Sequence, residues 1–183
     1  EHLSSLRTVP NLTIIRPCDI IETLEAWHCA LFDVKAPSII VLTRQDVPLI
    51  RTKQSSKNLL RLGAYPIIDF KKYDATILAT GSEVQIAIKS SSNLYKENIK
   101  VRVISFPSWE LFSKQSKRYK AKILGNKTIF AIEAGVINGW EKYIPSENFL
   151  GMNSFGASGP YKKLYQHFNI TSENLIDLIK KNI

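Results

Sequence analysis

The stretch DATILATGSEVQIAIKSSSNLYKENIKVRVISF, residues 74–106, decides the fold. Ala75 to Thr80 is a short, nearly continuous apolar run, the pattern of a strand covered on both faces. Gly81-Ser82 marks a turn and a helix start, and Glu83 to Tyr95 repeats at helical spacing. Val101 to Phe106 is a second apolar run, ended by Pro107, which has no N–H to give to a ladder. Strand, helix, strand at this spacing is the βαβ unit of a parallel sheet.

Working outward, the alternation continues downstream. Ser108 can cap a short helix through Phe112, and a second helix fits Gln115 to Lys122. Thr128 to Ile132 is a third strand ending at Glu133-Ala134-Gly135, and Phe149 to Met152 is a short fourth. Pro160 suits the first position of a helix reaching His167 or Phe168. Thr171 caps a final helix with Leu175, Ile176, Leu178 and Ile179 on one face. This predicts a small, open, mostly parallel α/β domain. Upstream, Leu12 to Ile15 is a strand stopped at Arg16-Pro17. Asp19 sits at an N-cap with Glu22 three residues on, a capping-box arrangement. Ile20, Ile21, Leu24, Trp27, His28 and Leu31 then follow at helical spacing until Ala36-Pro37, and Ser38 to Thr43 is another apolar strand. This is one further βαβ unit, too small to be a domain. Residues 45–73 hold no sustained period and read as a linker with one short element, for example Tyr65 to Asp69.

Apolar residues make up 44% of the 183 and charged residues 22%, which suits a chain with a real core and excludes global disorder. No apolar run approaches the roughly 18 residues of a membrane helix, so a soluble, cytoplasmic protein without a membrane partner is expected. The net charge of +9 sits in the middle: residues 44–122 hold 16 basic and 6 acidic residues. The densest run, Lys114 to Lys122, has one aromatic, Tyr119. A solvated helix face is favoured there over nucleic-acid binding. Cys18, Cys29, His2, His28 and His167 are too scattered for a zinc site. The chain begins with Glu1, and its only methionine is Met152, which reads as a segment of a longer protein.

Ligands of open parallel sheets gather beyond the carboxyl ends of the strands. That rule selects Arg16 to Asp19, Thr43 to Asp46, Thr80 to Glu83, and Glu133 to Asn138. Arg44 is the sharpest candidate, because its planar fork at a strand mouth suits two phosphate or carboxylate oxygens. An ion pair with Asp46 or another carboxylate is the equal alternative. At Thr80 to Glu83 ordinary N-capping is favoured over anion binding, and at Glu133 a structural hydrogen bond over acid–base work. Gly151 to Gly159 lacks the spacing of a phosphate loop and reads as a long turn. Trp27, Trp109 and Trp140 read as core or interface anchors.

Seven strings in order extend this reading. They are SLRTVPNL (5–12), IIRPCD (14–19), LTRQDVP (42–48), ATGSEV (79–84), VRVISFPS (101–108), EAGVINGWEKY (133–143) and GMNSFGASGP (151–160). Together they resemble the C-terminal portion of the transketolase family. The resemblance implies that residues 1–48 are the tail of the pyrimidine-binding domain, residues 49–73 a linker, and residues 74–183 the transketolase C-terminal domain. Complete members transfer a two-carbon ketol unit between sugar phosphates, with thiamine diphosphate and a divalent cation, Mg or Ca, and as homodimers. Arg44 matches the family arginine that grips the substrate phosphate, with Thr43 where serine is usual. The cofactor and cation ligands belong upstream of Glu1. The segment alone is therefore expected to bind neither cofactor nor cation and to be inactive, with a second copy or the upstream portion as its partner. A non-catalytic remnant or stand-alone association domain is the alternative.

Overall fold

A computed structural model describes residues 1–52 and 57–183; residues 53–56, part of the expected linker, lie outside them. The chain opens with helix α1 (His2–Leu6), then strand β1 (Thr13–Ile15), helix α2 (Ile20–His28) and strand β2 (Ser38–Ile40). β1 and β2 pair in parallel, with Thr13 opposite Ser38 and Ile15 opposite Ile40. The second unit comprises β3 (Tyr65–Ile68), β4 (Ala75–Ala79), α3 (Val84–Lys96), β5 (Val101–Ser105), α4 (Trp109–Ser113) and α5 (Lys117–Leu124). It continues through β6 (Thr128–Ile132), β7 (Phe149–Leu150), α6 (Tyr161–His167) and α7 (Ser172–Asn182). Its five strands lie in the order β3-β5-β4-β6-β7, parallel throughout except for β3.

Every residue of β4 and β5 is buried, because helices cover both sheet faces. Side chains alternate between the faces. Ile77, Val103 and Phe130 pack with Leu175 and Ile179 of α7, while Leu78, Ile104 and Ala131 meet Phe106, Phe112 and Trp140 on the other side. The capping hydroxyls behave as the pattern predicts at α4 and α7: the Leu111 N–H donates to Ser108 Oγ, and the Asn174 N–H donates to Thr171 Oγ1.

Three regions are placed only by tertiary contacts. First, the short element expected at Tyr65 to Asp69 forms as β3, which bonds antiparallel to β5 and makes the sheet edge. Pro66 is tolerated there because an edge strand has a free N–H side. Second, the strand expected over Ser38–Thr43 ends at Ile40, although the Val41 N–H still reaches Ile15 O at 2.8 Å. Third, the apolar stripe of α2 faces outward. Ile20, Leu24 and Trp27 are 58%, 62% and 52% exposed, as is Leu31 in the wide π turn Cys29–Asp33 that follows, whereas Glu22 and Ala26 are buried. The inner face meets the second unit, whose hydroxyls at Tyr65 and Ser105 suit a carboxyl better than an aliphatic chain. The N-cap itself forms, with the Glu22 N–H donating to Asp19 Oδ1 at 2.7 Å. The Glu22 carboxyl reaches back one residue further than a capping box requires, to the Cys18 N–H at 2.8 Å.

Candidate functional site

The carboxyl ends of β1, β4 and β6 converge on one buried polar seam. Arg16 follows β1 directly, with its backbone N–H donating to Pro107 O and its carbonyl accepting from the Gly81 N–H. Its guanidinium donates to Thr80 O at 3.1 Å, forms a close ion pair with Glu83, and lies 3.6 Å from Glu133. Gly81 permits this approach. Its φ is +57°, and a Cβ there would meet the Arg16 side chain at 2.8 Å.

Arg7, just past α1, completes the seam. Its two terminal nitrogens donate to the two oxygens of Glu133, each at 2.8 Å, in the fork geometry that arginine and carboxylate share. The same guanidinium lies 3.9 Å from the centre of the Trp109 ring. Trp140 Nε1–H also donates to Glu133, at 2.8 Å. Glu83 accepts from Tyr165 OH at 2.5 Å, Ser82 Oγ–H at 2.7 Å and the Ala134 N–H at 3.0 Å. Two arginines thus face two glutamates, with four hydrogen bonds from the described residues reaching Glu83 and three reaching Glu133.

Electrostatics follow this pairing. Burial pushes the Glu133 carboxyl up, but Arg7, Arg16 and Trp140 outweigh it and hold the group below its ordinary range. Burial disfavours the Arg16 cation, yet Glu83 and Glu133 more than offset that, and it stays charged. Such a seam binds structure together, because both carboxylates are committed to buried cations and N–H or O–H donors.

Arg44 lies beside the seam and outside it. It is exposed, and no ion pair with Asp46 or any other carboxylate forms among the described residues. It lines a cavity of about 280 Å³ together with Arg16, Thr43, Gln45, Ser82 and Tyr165. Since Arg16 is already matched by carboxylates, Arg44 carries the unmatched positive charge at this cavity.

The strand-end rule therefore found Arg16, Glu83 and Glu133, which meet, and Arg44, which adjoins them. The hydroxyls expected to cap α3 do other work: Thr80 donates to Arg16 O, and Ser82 serves Glu83 and Tyr165. Gln45 falls within the selected stretch Thr43 to Asp46, whereas the rule does not reach Arg7, Trp140 or Tyr165. Arg7, Gln45 and Trp140 lie inside the quoted strings, whereas nothing local marks Tyr165. Cys18 and Cys29 are buried thiols, and burial pushes Cys29 up to about 12. Among the described residues, no three His, Cys, Asp or Glu side chains come together as a metal-holding group. None of their helices is long and apolar enough to cross a membrane.

The family model of the transketolase-like TK C-terminal domain matches residues 63–171, and that of the transketolase pyrimidine-binding domain matches residues 1–49. A transketolase of Cereibacter sphaeroides is 42% identical over 184 residues, covering 100% of this chain and 28% of the relative. The transketolase structure from Leishmania mexicana superposes with a TM-score of 0.88 at 37% identity, over 99% of this chain and 27% of the other. A Pichia stipitis transketolase solved with sedoheptulose-7-phosphate gives a TM-score of 0.89 at 34% identity, over 98% and 26%. The chain thus spans about a quarter of the length of the relatives it matches.

Proposed function

We propose that this chain, which belongs to the transketolase family, serves as the C-terminal part of an enzyme that moves a two-carbon ketol unit between sugar phosphates. Arg44 holds the substrate phosphate in this reading. The observation that carries it is the unmatched Arg44 guanidinium at the mouth of a cavity whose other arginine is neutralised. A dianionic phosphate is drawn to that charge, and the arginine fork suits two of its oxygens. The sugar phosphate in the Pichia stipitis relative supports the same ligand class.

Thiamine diphosphate and its divalent cation are assigned to other regions of a complete enzyme. The residues described here do not fit either group: the buried glutamates are spent on arginines, hydroxyls and N–H donors, and no metal-holding set exists among them. We divide the chain at residue 48, with residues 49–64 as the connection, because Tyr65–Ile68 already pairs with β5. The outward stripe of Ile20, Leu24, Trp27 and Leu31, with Phe32 beside it, supports a covering partner, either the upstream portion or a second copy.

The test is Arg44→Ala in the enzyme assembled with its upstream regions, assayed with xylulose-5-phosphate and ribose-5-phosphate. The expected result is a KM for phosphorylated sugars raised roughly 10- to 100-fold, with a smaller fall in kcat, because phosphate binding is largely uniform between ground and transition states. An unchanged KM removes the phosphate role. Absence of transfer by the assembled parent enzyme removes the whole reading.

A further inference from the structure

We propose that Tyr165 is a positioning residue for Arg44, acting through the Gln45 side chain, so that the second unit sets the substrate contact carried by the first. This rests on the phosphate reading of Arg44 given above.

Arg44 is exposed and makes no ion pair of its own among the described residues. A long, mobile side chain contributes full binding only if its backbone is already held, since ordering it on binding costs affinity. Two contacts hold that backbone. The Gln45 N–H donates to Thr43 Oγ1 at 3.3 Å, closing a tight turn around Arg44. Gln45 Nε2–H donates to Tyr165 OH at 3.3 Å, across 120 residues of sequence.

Tyr165 is a firm anchor. Its own proton goes to Glu83 Oε1 at 2.5 Å, which leaves its oxygen lone pairs free to accept from Gln45. Ser82 Oγ lies 3.0 Å away on the same oxygen. Glu83 is fully buried and fixed by Arg16 and the Ala134 N–H. The link therefore runs from the phosphate grip, through Gln45 and Tyr165, into the ion-paired seam.

The experiment compares Arg44→Ala, Tyr165→Phe, Gln45→Met and the pairs Tyr165→Phe/Gln45→Met and Tyr165→Phe/Arg44→Ala in the assembled enzyme. Each is assayed with a phosphorylated ketose and with an unphosphorylated one such as erythrulose. The readout is the ratio of the two KM values. Tyr165→Phe and Gln45→Met should each shift that ratio against the phosphorylated donor by roughly three- to tenfold, the effect of one neutral hydrogen bond. The Tyr165→Phe/Gln45→Met pair should shift it no further than either single change, because both cut the same link. Tyr165→Phe should add nothing in an Arg44→Ala background. A ratio that moves with Arg44→Ala but not with Tyr165→Phe and Gln45→Met overturns this inference and leaves the phosphate reading standing. A ratio that ignores Arg44→Ala overturns both. Should Tyr165→Phe fail to fold, Gln45→Met alone decides by the same criterion. Equal loss toward both donors marks Tyr165 as merely structural and also overturns the inference.

Discussion

Glu133 and Glu22 are both fully buried, and both tie the N-terminal unit to the second sheet, yet their surroundings differ in charge. Glu133 receives two bonds from Arg7 and one from Trp140, with Arg16 at 3.6 Å. Glu22 receives the Tyr65 and Ser105 hydroxyls, each at 2.5 Å, and the Cys18 N–H, with no ion-pair partner among the described residues. Burial pushes both carboxyls up. The arginines reverse that for Glu133, whereas the neutral donors around Glu22 do not, and it stays above its ordinary range. Hydrogen bonds favour the ionised form of both carboxyls, but only at Glu133, where arginines add opposite charge, is burial outweighed.

The largest effect should come from breaking the charged side of this comparison. Glu133→Ala leaves two buried arginines short of a partner and should cost about 3–5 kcal/mol in urea denaturation at neutral pH. A loss below about 1 kcal/mol would mean that water replaces the carboxylate.

The two glutamates should next be separable by pH. Glu133, with its folded value depressed, contributes stability above its ordinary value of 4.5 that is lost as pH falls through the folded value. Glu22 runs the other way. The folded state retains a proton that the unfolded chain releases, so its contribution is complete below 4.5 and is lost as pH rises through the raised folded value. Glu22→Gln keeps a neutral acceptor and should therefore gain on the parent as pH rises above 4.5, at a limiting slope of about 1.4 kcal/mol per pH unit. Parallel stability–pH curves for the two proteins would refute this.

Tyr65→Phe tests the neutral donors one at a time. It removes one bond to Glu22 and should cost about 1–2 kcal/mol by denaturant titration, with no gain at any pH where Glu22 is charged. The smallest effect belongs to the outer side of the helix that carries Glu22. Trp27→Ser should lower the thermal stability of the isolated chain by about 1 kcal/mol or less, since this ring is 52% exposed and only its covered half is lost. A larger loss would show that the apolar stripe, rather than the carboxyl side, holds α2 in place.

Much of the second unit was legible because its strands are continuous apolar runs. Ala75–Ala79, Val101–Ser105 and Thr128–Ile132 match their expected strands to within a residue at either end. α2 was legible as a helix, but its orientation was not. Periodicity locates an apolar stripe without saying what covers it, and here the second unit meets the opposite face. β3 was legible as a short element at Tyr65 to Asp69, but its antiparallel place at the sheet edge, where Pro66 is admissible, was not, because pairing with β5 is a long-range contact. Among the candidate site residues, Arg16, Glu83 and Glu133 were visible because each sits at a strand end. Tyr165 was not, because its partners Glu83 and Gln45 are 82 and 120 residues away.

The sequence by itself determined the alternation of strands and helices, the N-caps at Asp19, Ser108 and Thr171, and the positions where chemistry could gather, Arg44 among them. Each of these depends on neighbours within a few residues, where spacing and residue type suffice. Only the tertiary structure decided which charges cancel and which remain. Arg16 and Arg44 look alike in sequence, each an arginine following an apolar strand. Folding buries Arg16 between Glu83 and Glu133 and leaves Arg44 at the cavity without a carboxylate partner among the described residues. Charge compensation acts between groups brought within a few ångströms across the chain, so no local pattern could have told the two arginines apart.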